Sequence, residues 1–186
     1  MKQLNARFFA GDTVQAAQDL LGKIISVNGM KARIVETEAY GLDKASHAYK
    51  KTARSSIMFD TYGHVYIYLI YGLYSCLNFT TDKNRAGAVL IRAAEPLEGV
   101  EKMQKNRGIE ILTNLCSGPG KLCLALGLDK NFNGLKLGNE IKILEDGFVA
   151  NICSSSRIGI KLDTDLQWRF YVKDNLFVSR TKNLSN

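Results

Sequence analysis

Residues 23–40 read KIISVNGMKARIVETEAY, two apolar stretches separated by the dipeptide Asn28-Gly29. An Asn-Gly pair between such stretches is typical of a two-residue β-hairpin turn, because both residues tolerate the positive φ angles that this turn requires. The pattern predicts one strand over 23–27 and a partner strand over 30–38. This hairpin is the first part of a mostly antiparallel sheet.

The segments on either side of the hairpin predict a mixture of helices and strands. Asp12 or Thr13 can cap a short helix that ends at Gly22. Residues 40–59 have little periodicity and predict a long loop, and such loops in compact domains are often functional. We therefore predict a single α+β domain, residues 1–186, with a curved, mostly antiparallel β-sheet and surrounding helices. The remaining predicted elements are strands over 65–70, 73–80, 87–93, 135–144, 148–154 and 170–178, a helix over 96–107, and a helix that starts at Ser117-Gly118-Pro119 and ends at Gly127.

The composition indicates a globular protein with an excess of basic residues. Of the 186 residues, 46% are hydrophobic and 23% are charged, and the net charge is +7, which favours a polyanionic partner. Four cysteines without CxxC spacing and only two histidines argue against a zinc site, and we expect no metal or other cofactor. The most apolar window, residues 65–79, is shorter than the ~20 residues that span a bilayer, and no secretory signal is evident. We expect an intracellular protein with no membrane partner.

Residues 62–74, YGHVYIYLIYGLY, contain five of the eight tyrosines of the chain. One interpretation is a β-hairpin with aromatic cross-strand pairs, since tyrosine suits a half-buried pleated surface. The other is a stacking surface for flat ligands such as nucleobases. The local sequence leaves both open.

Two glutamates near the end of the 30–38 strand are candidates for catalysis. With the two-residue period of a strand, Glu36, Glu38 and Tyr40 point to the same side. Paired carboxylates can act as acid and base in sugar hydrolysis, but two solvated glutamates on an outer face would give the same pattern. The only histidines, His47 and His64, lie in the same part of the sequence.

Two further segments contain candidate cationic sites. Arg92 interrupts an apolar strand, so it should face a carboxylate such as Glu36, Glu38 or Glu95, a bound phosphate, or water at a strand edge. Residues 117–122, SGPGKL, place Lys121 beside the backbone N–H groups of a helix start, which is a weak anion-binding signal. The segment lacks the spacing of a P-loop.

Six segments together resemble one family, the 3-methyladenine DNA glycosylases of the alkyladenine (methylpurine) type. The resemblance extends from the first predicted helix to near the C-terminus. Both prolines of the chain, Pro96 and Pro119, lie within it. The segments, in the order found in that family, are IVETEAY (34–40), ASHAY (45–49), GHVYIYLIYGLYSCLN (63–78), AVLIRAAEPLEG (88–99), LCSGPGKLC (115–123) and RIGI with WRFYV (157–172).

The resemblance implies a role for several residues. Glu38 matches the catalytic glutamate, and Glu36 is then its neighbour and not the base. Arg92 matches the arginine near the attacking water. The residues that clasp an extruded base match Tyr40, His47 and Tyr68, and the other matches are Asn78 as a base filter, Tyr71 as the wedge at the hairpin tip and the backbone carbonyl of Val178.

The resemblance further implies that the tyrosine strand is both stacking surface and wedge, with Val65, Ile67 and Leu69 facing the core. The basic residues Arg85 and Lys121 are expected to contact DNA.

The implied reaction is hydrolysis of the N-glycosidic bond of an alkylated or deaminated purine in double-stranded DNA by a monofunctional monomer, located in the cytoplasm or nucleoid of a bacterium or in the nucleus of a eukaryote. The damaged bases are of the 3-methyladenine, 7-methylguanine, hypoxanthine and ethenoadenine type, and an abasic site remains. The alternatives are a nucleic-acid-binding module without catalysis, which gains nothing from a carboxylate at Glu38, and a sugar hydrolase that uses Glu36 and Glu38.

Overall fold

The 23–40 hairpin lies within one antiparallel sheet in the computed structural model, which describes residues 1–179. Seven strands follow the order β1-β7-β2-β3-β6-β5-β4, while β9 pairs with β3, and β8 pairs with β9. This confirms the predicted α+β class. The strands are β1 (Lys2–Gln3), β2 (Ile24–Val27), β3 (Met30–Tyr40), β4 (Val65–Ile70), β5 (Tyr74–Thr81), β6 (Gly87–Glu98), β7 (Lys142–Glu145), β8 (Ile152–Ser155) and β9 (Arg169–Val172).

Four α-helices accompany the sheet in the described residues. The Asp12 side chain caps the first one by accepting a hydrogen bond from the N–H of Gln15, as the sequence predicts. Gly127, with a φ angle of 64°, ends the last one. The helices are α1 (Thr13–Asp19), α2 (Ser56–Asp60), α3 (Val100–Arg107) and α4 (Pro119–Leu126); short 3-10 helices are Ala6–Phe9, His47–Tyr49, Leu112–Asn114 and Lys130–Phe132.

Strand β3 contains an irregularity in its pairing with β6 on both sides of Glu36. On one edge it pairs first with β2 and then with β9, while β6 runs along the other edge. Glu36 lies opposite Ala93 and Thr37 lies opposite Ile91, so Arg92 has no partner in the register. Such bulges re-aim side chains and are common near active sites.

The two faces of the sheet differ in what covers them. Side chains such as Ile91 and Leu77 pack in the main core with α1 and α4. The opposite face is covered by the 41–60 segment, where Met58 and Ala48 pack on Tyr66. Successive side chains of strands β3 to β6 point to opposite faces of the sheet. Those that do not enter the main core therefore point into the space between the sheet and the 41–60 segment.

The β4–β5 hairpin extends beyond the rest of the sheet. Strand β5 pairs with β6 only over Asn78–Thr81, although it pairs with β4 from Tyr74 onward. Val65 and Ile67 face the core as predicted, but the expectation for Leu69 is wrong, because this side chain is 42% exposed. Leu69 lies in the protruding part, where no neighbouring strand covers it.

Several predicted boundaries are also wrong. Strand β6 continues through Pro96, which lies opposite Ala32 beside a register shift where the missing N–H is tolerated. Helix α3 therefore starts only after Gly99, whose φ angle is 73°. The 40–59 segment contains helix α2 and is not a plain loop, and the last three strands are shorter than predicted. Among the described residues, no helix is long and apolar enough to cross a membrane.

Candidate active site

A cavity of about 360 Å³ lies between the sheet and the 41–60 segment. This is within the usual size range of small-ligand pockets. Strands β3 to β6 supply its floor, and residues near 158–160 supply another wall. The site residues predicted from the sequence that line it are Tyr40, His47, Tyr68, Tyr71, Asn78 and Arg92.

Glu38 lies behind this lining and is fully buried. Its Oε2 accepts a hydrogen bond of 2.7 Å from the Tyr40 hydroxyl and lies 3.3 Å from Arg92 Nη1. Its Oε1 accepts a 2.7 Å hydrogen bond from the backbone N–H of Ile158. All three neighbours are donors to the carboxylate oxygens. A carboxylate has about four acceptor positions, which leaves one on Oε1 for a further donor such as water.

Arg92 occupies the unpaired register position and connects both glutamates. Its Nε donates to Glu36 Oε1 at 3.0 Å, and its Nη1 contacts Glu38. Burial alone would lower the pKa of Arg92, but the charges of Glu38 and Glu36 outweigh it and raise the pKa. From the sequence, a salt bridge and a phosphate contact were equally good interpretations of Arg92. In the structure, Arg92 forms salt bridges with Glu36 and Glu38.

Glu36 is also fully buried, but its surroundings differ from those of Glu38. Oε1 accepts from Arg92, from Arg169 Nε at 2.7 Å and from the Ser179 hydroxyl at 2.8 Å, while Oε2 accepts from the Ser179 N–H at 2.7 Å. Four protein donors thus contact Glu36, three of them at Oε1, compared with three donors for Glu38. Neither glutamate is solvated on an outer face, and the two guanidinium groups and Ser179 around Glu36 favour a structural role over that of a second catalytic carboxylate in a sugar hydrolase.

Aromatic rings surround the central space of the cavity. His47 lies edge-on to Tyr68 with ring centroids 4.8 Å apart, and its Nδ1 is 2.8 Å from the Tyr66 hydroxyl. Burial and the charge of Arg54 lower the pKa of His47, so its ring is neutral at pH 7. Burial, assisted by the charge of Glu38, also raises the phenol pKa of Tyr40 and of Tyr68. The aromatic part of the lining is therefore flat, uncharged and capable of hydrogen bonding.

Asn78 presents one particular group to the cavity. Its Nδ2 donates to the carbonyl oxygens of Tyr66 and Cys76, both at 3.1 Å. The amide is planar, so these two bonds direct Oδ1 away from the backbone. Asn78 therefore offers a fixed acceptor at the floor of the site.

The hairpin tip beside the cavity projects an exposed aromatic side chain. Tyr71 is 85% exposed and has a φ angle of 53°, followed by Gly72 at 68°. A residue with a β-carbon in this conformation costs roughly 1–2 kcal/mol. The tip therefore holds Tyr71 outward at a cost in backbone energy, and its role as a wedge stays a prediction.

Three predicted residues lie outside this cavity. Arg85 is exposed on the β5–β6 turn, at the opposite end of β5 from Tyr71, about 25 Å away along the strand. Lys121 and Val178 line a second cavity of about 330 Å³, where the Lys121 ammonium group donates to Asn114. Their expected contacts with DNA or substrate stay predictions.

Sequence reasoning overlooked the residues that position the site from a distance. Arg169 and Ser179 hold Glu36, while Arg157 forms a buried ion pair with Asp43. Arg157 lies within the matched RIGI segment and Arg169 within the matched WRFYV segment. These motif matches are the sequence signal by which the two arginines could have been predicted. Among residues 1–179, no group of three or more His, Cys, Asp or Glu side chains could hold a metal ion.

The comparison with known proteins defines the class as DNA glycosylase, a hydrolase of DNA repair that acts on N-glycosyl bonds. The family model described as "Methylpurine-DNA glycosylase (MPG)" matches residues 7–176. The chain belongs to this family, whose members are monofunctional glycosylases, and the resemblance inferred from six motifs is confirmed.

Relatives match over nearly their full length. A protein of Clostridium novyi (strain NT) named "Putative 3-methyladenine DNA glycosylase" is 44% identical over 200 residues, covering 97% of this chain and 100% of its own. Proteins with the same name from Clostridium perfringens (strain 13 / Type A) and Alkaliphilus oremlandii (strain OhILAs) are 45% and 46% identical, each covering 96% of this chain and 99% of their own.

Proposed function

We propose that the enzyme removes 3-methyladenine and related damaged purines, namely 7-methylguanine, hypoxanthine and ethenoadenine, from double-stranded DNA. The damaged nucleotide is extruded into the 360 Å³ cavity, its glycosidic bond is hydrolysed, and an abasic site remains. The observation that carries this proposal is Glu38, a buried carboxylate with one acceptor position left, which lies behind the lining of a cavity that contains aromatic rings.

The extruded base is held between rings. The rings are those of Tyr40, His47 and Tyr68, which all line the cavity, and stacking of this kind is worth about 1–3 kcal/mol per base. Whichever tautomer the neutral His47 adopts, Nδ1 is engaged by Tyr66, so Nε2 faces the base. The Oδ1 atom of Asn78 is an acceptor, so it favours bases that present a hydrogen-bond donor to it and disfavours bases that present an acceptor.

Glu38 supplies the chemistry of the bond cleavage. Its carboxylate orients a water through the remaining acceptor position and removes its proton as the oxygen bonds to the anomeric carbon. The carbon–nitrogen bond breaks, and its electron pair leaves with the purine. General-base assistance of this sort contributes about 10²–10⁴-fold, and the negative charge stabilises the oxocarbenium-like transition state.

Arg92 holds the catalytic carboxylate in place while remaining charged. Alkylated purines such as 3-methyladenine already carry positive charge and leave readily. A neutral base such as hypoxanthine requires a proton on its leaving side. The substrate range thus depends on the donors around the base as well as on Glu38.

Residues at the rim of the cavity and outside it hold the DNA. Tyr71 fills the gap that the extruded nucleotide leaves, Arg85 and Lys121 contact phosphates, and the backbone carbonyl of Val178 contributes to substrate binding. The net charge of +7 supports attraction to the polyanion. We infer that the enzyme acts as a monomer inside the cell, where its DNA substrate lies.

Base release from a defined duplex tests this function. Wild-type protein is incubated in excess with oligonucleotides that each contain one damaged purine, and abasic sites are detected by alkaline cleavage. Glu38→Gln keeps the size of the side chain but removes the base, so we expect a loss of at least 10²-fold. Binding to abasic-site DNA persists, because the binding surface is unchanged.

Glu145→Gln is the matched control, since Glu145 forms an ion pair with Lys23 at 2.6 Å far from the cavity. It should release base at the wild-type rate. Normal turnover by Glu38→Gln would exclude Glu38 as the base. Absence of release from every substrate by the wild-type protein, with abasic DNA still bound, would favour a binding module.

A further inference from the structure

Arg157 is a buried cation that joins several parts of the site. Its side chain is fully buried, and Nη1 and Nη2 donate to the two carboxylate oxygens of Asp43 at 3.1 and 2.7 Å. Nη1 also donates to the Ala39 carbonyl at 3.1 Å. The guanidinium lies 4.8 Å from the centre of the Tyr40 ring and 5.3 Å from that of Trp168.

This arrangement is not the most stable one for a buried arginine. The Nε–H of Arg157 is buried and has no hydrogen-bond partner, and an unsatisfied buried donor is costly. A buried ion pair is in general only weak support for stability. Local departures of this kind from the most stable arrangement are common at functional sites.

The neighbours of Arg157 hold the carboxylate of Glu38. Ile158, the next residue, donates its N–H to Glu38 Oε1, while the ring stacked on Arg157 belongs to Tyr40, whose hydroxyl donates to Glu38 Oε2. Displacement of the guanidinium would therefore move two of the three donors that hold Glu38.

Asp43 connects Arg157 to the loop that carries His47. Its carboxylate also accepts hydrogen bonds from the N–H groups of Gly41 and Ala45, at 3.2 and 3.1 Å. The loop then leads into the 3-10 helix that starts at His47. The Arg157–Asp43 pair thus connects both sides of the aromatic clasp.

We propose that Arg157, fixed by Asp43, is a positioning residue that sets the placement of Glu38, Tyr40 and the His47 loop for base excision. The inference rests on the proposed function, because it concerns the rate of that reaction. Arg157 acts through its neighbours and does not itself contact the substrate.

The chain offers a closely matched control. Arg33 also forms a two-armed ion pair, with Asp146 at 3.1 and 2.8 Å, donates to a carbonyl, that of Gly22, and lies 4.4 Å from an aromatic ring, that of Phe148. It is located in the first part of β3, away from the cavity. Arg→Lys at both positions removes the same kind of contact, but only one of them is next to Glu38.

The test compares Arg157→Lys with Arg33→Lys. Single-turnover release of hypoxanthine is measured with enzyme in excess, at a temperature where melting curves show both variants folded. We expect the rate of Arg157→Lys to fall about 10- to 100-fold, the scale of a small misplacement of reacting groups, and Arg33→Lys to stay within twofold of wild type. Binding to abasic-site DNA stays within a fewfold for both.

The dependence of the single-turnover rate on enzyme concentration separates positioning from stability. Because Arg157 acts on the placement of the reacting groups, Arg157→Lys should lower the rate at saturating enzyme while the enzyme concentration that gives half of that rate stays within a fewfold of wild type, and Arg33→Lys should change neither. Equal saturated rates for the two variants, or a loss confined to the half-saturating concentration, would overturn the proposal. If Arg157→Lys does not fold, Asp43→Asn is judged by the same two readouts. A wild-type enzyme without base release would instead refute the proposed function.

Discussion

Replacement of Glu36 by glutamine tests whether this residue has a structural role. The substitution preserves side-chain volume and removes the negative charge that Arg92 and Arg169 share. Glutamine presents one acceptor oxygen and one donor group in place of two acceptor oxygens. At least one of the donors that now contact Glu36 would then face another donor.

The magnitude follows from the contacts of Glu36. It accepts four hydrogen bonds, two of them from buried guanidinium groups, and it is fully buried. Breaking a buried charge pair costs roughly 3–5 kcal/mol, because the partner charge remains buried. Arg92 keeps its contact with Glu38, which favours the lower part of this range. For a chain of this size each kcal/mol lowers the melting temperature by about 2–4 °C, so we expect a decrease of about 6–15 °C.

The assay measures melting temperature and base release on the same protein. At a temperature where Glu36→Gln is folded, its release rate should fall much less than that of Glu38→Gln, because the carboxylate that orients water is intact. Glu98→Gln is the control, since Glu98 forms an exposed ion pair with Lys31 at 3.0 Å, and such pairs contribute about 0–1 kcal/mol.

Two results would refute this reasoning. A melting temperature of Glu36→Gln as close to wild type as that of Glu98→Gln would show that the four contacts contribute no net stability. Complete loss of base release by a stably folded Glu36→Gln would show that Glu36, and not Glu38, is the base.

Other perturbations give independent tests. Tyr71→Ala should impair hypoxanthine excision from duplex DNA more than from single strands, because a wedge matters where pairing and stacking must be broken; equal losses on both substrates would contradict the wedge. Binding to undamaged duplex should weaken steeply between 50 and 200 mM salt as phosphate contacts release counterions, and a flat profile would argue against binding through phosphate contacts. The lowered pKa of His47 means that the unfolded chain binds a proton first as pH falls below ~6.5, so stability decreases over that range until the folded protein also titrates. Melting curves at pH 7 and pH 5 should therefore show a smaller decrease for His47→Gln than for wild type, and equal decreases would place the His47 pKa at its ordinary value.

Elements whose signals are local were predictable from the sequence. The Asn28-Gly29 turn needs only two positive φ angles, and both occur. Helix α1 needs a cap at Asp12, which is also present. Pro96 misled the prediction, because a proline that starts a helix and one at a bulge of a strand look alike until the partner strand is known. Helix α2 was missed because its five residues contain no side-chain cap.

The sequence by itself determined the types of residue available for chemistry. It placed Glu38, Tyr40, His47 and the tyrosine strand in segments that match one family, since motif order is a property of the chain. That the two glutamates of ETEAY differ was implied only by the resemblance, because their spacing makes them equivalent on a strand.

Only the tertiary structure decided which protein donors surround each glutamate. The donors to Glu36 and Glu38 include Arg169, Ser179 and the N–H of Ile158, which are 133, 143 and 120 residues distant along the chain. Such contacts depend on β9 pairing with β3 and on the bulge that leaves Arg92 without a register partner. No local pattern encodes them, because a buried carboxylate takes its properties from the groups that folding places around it.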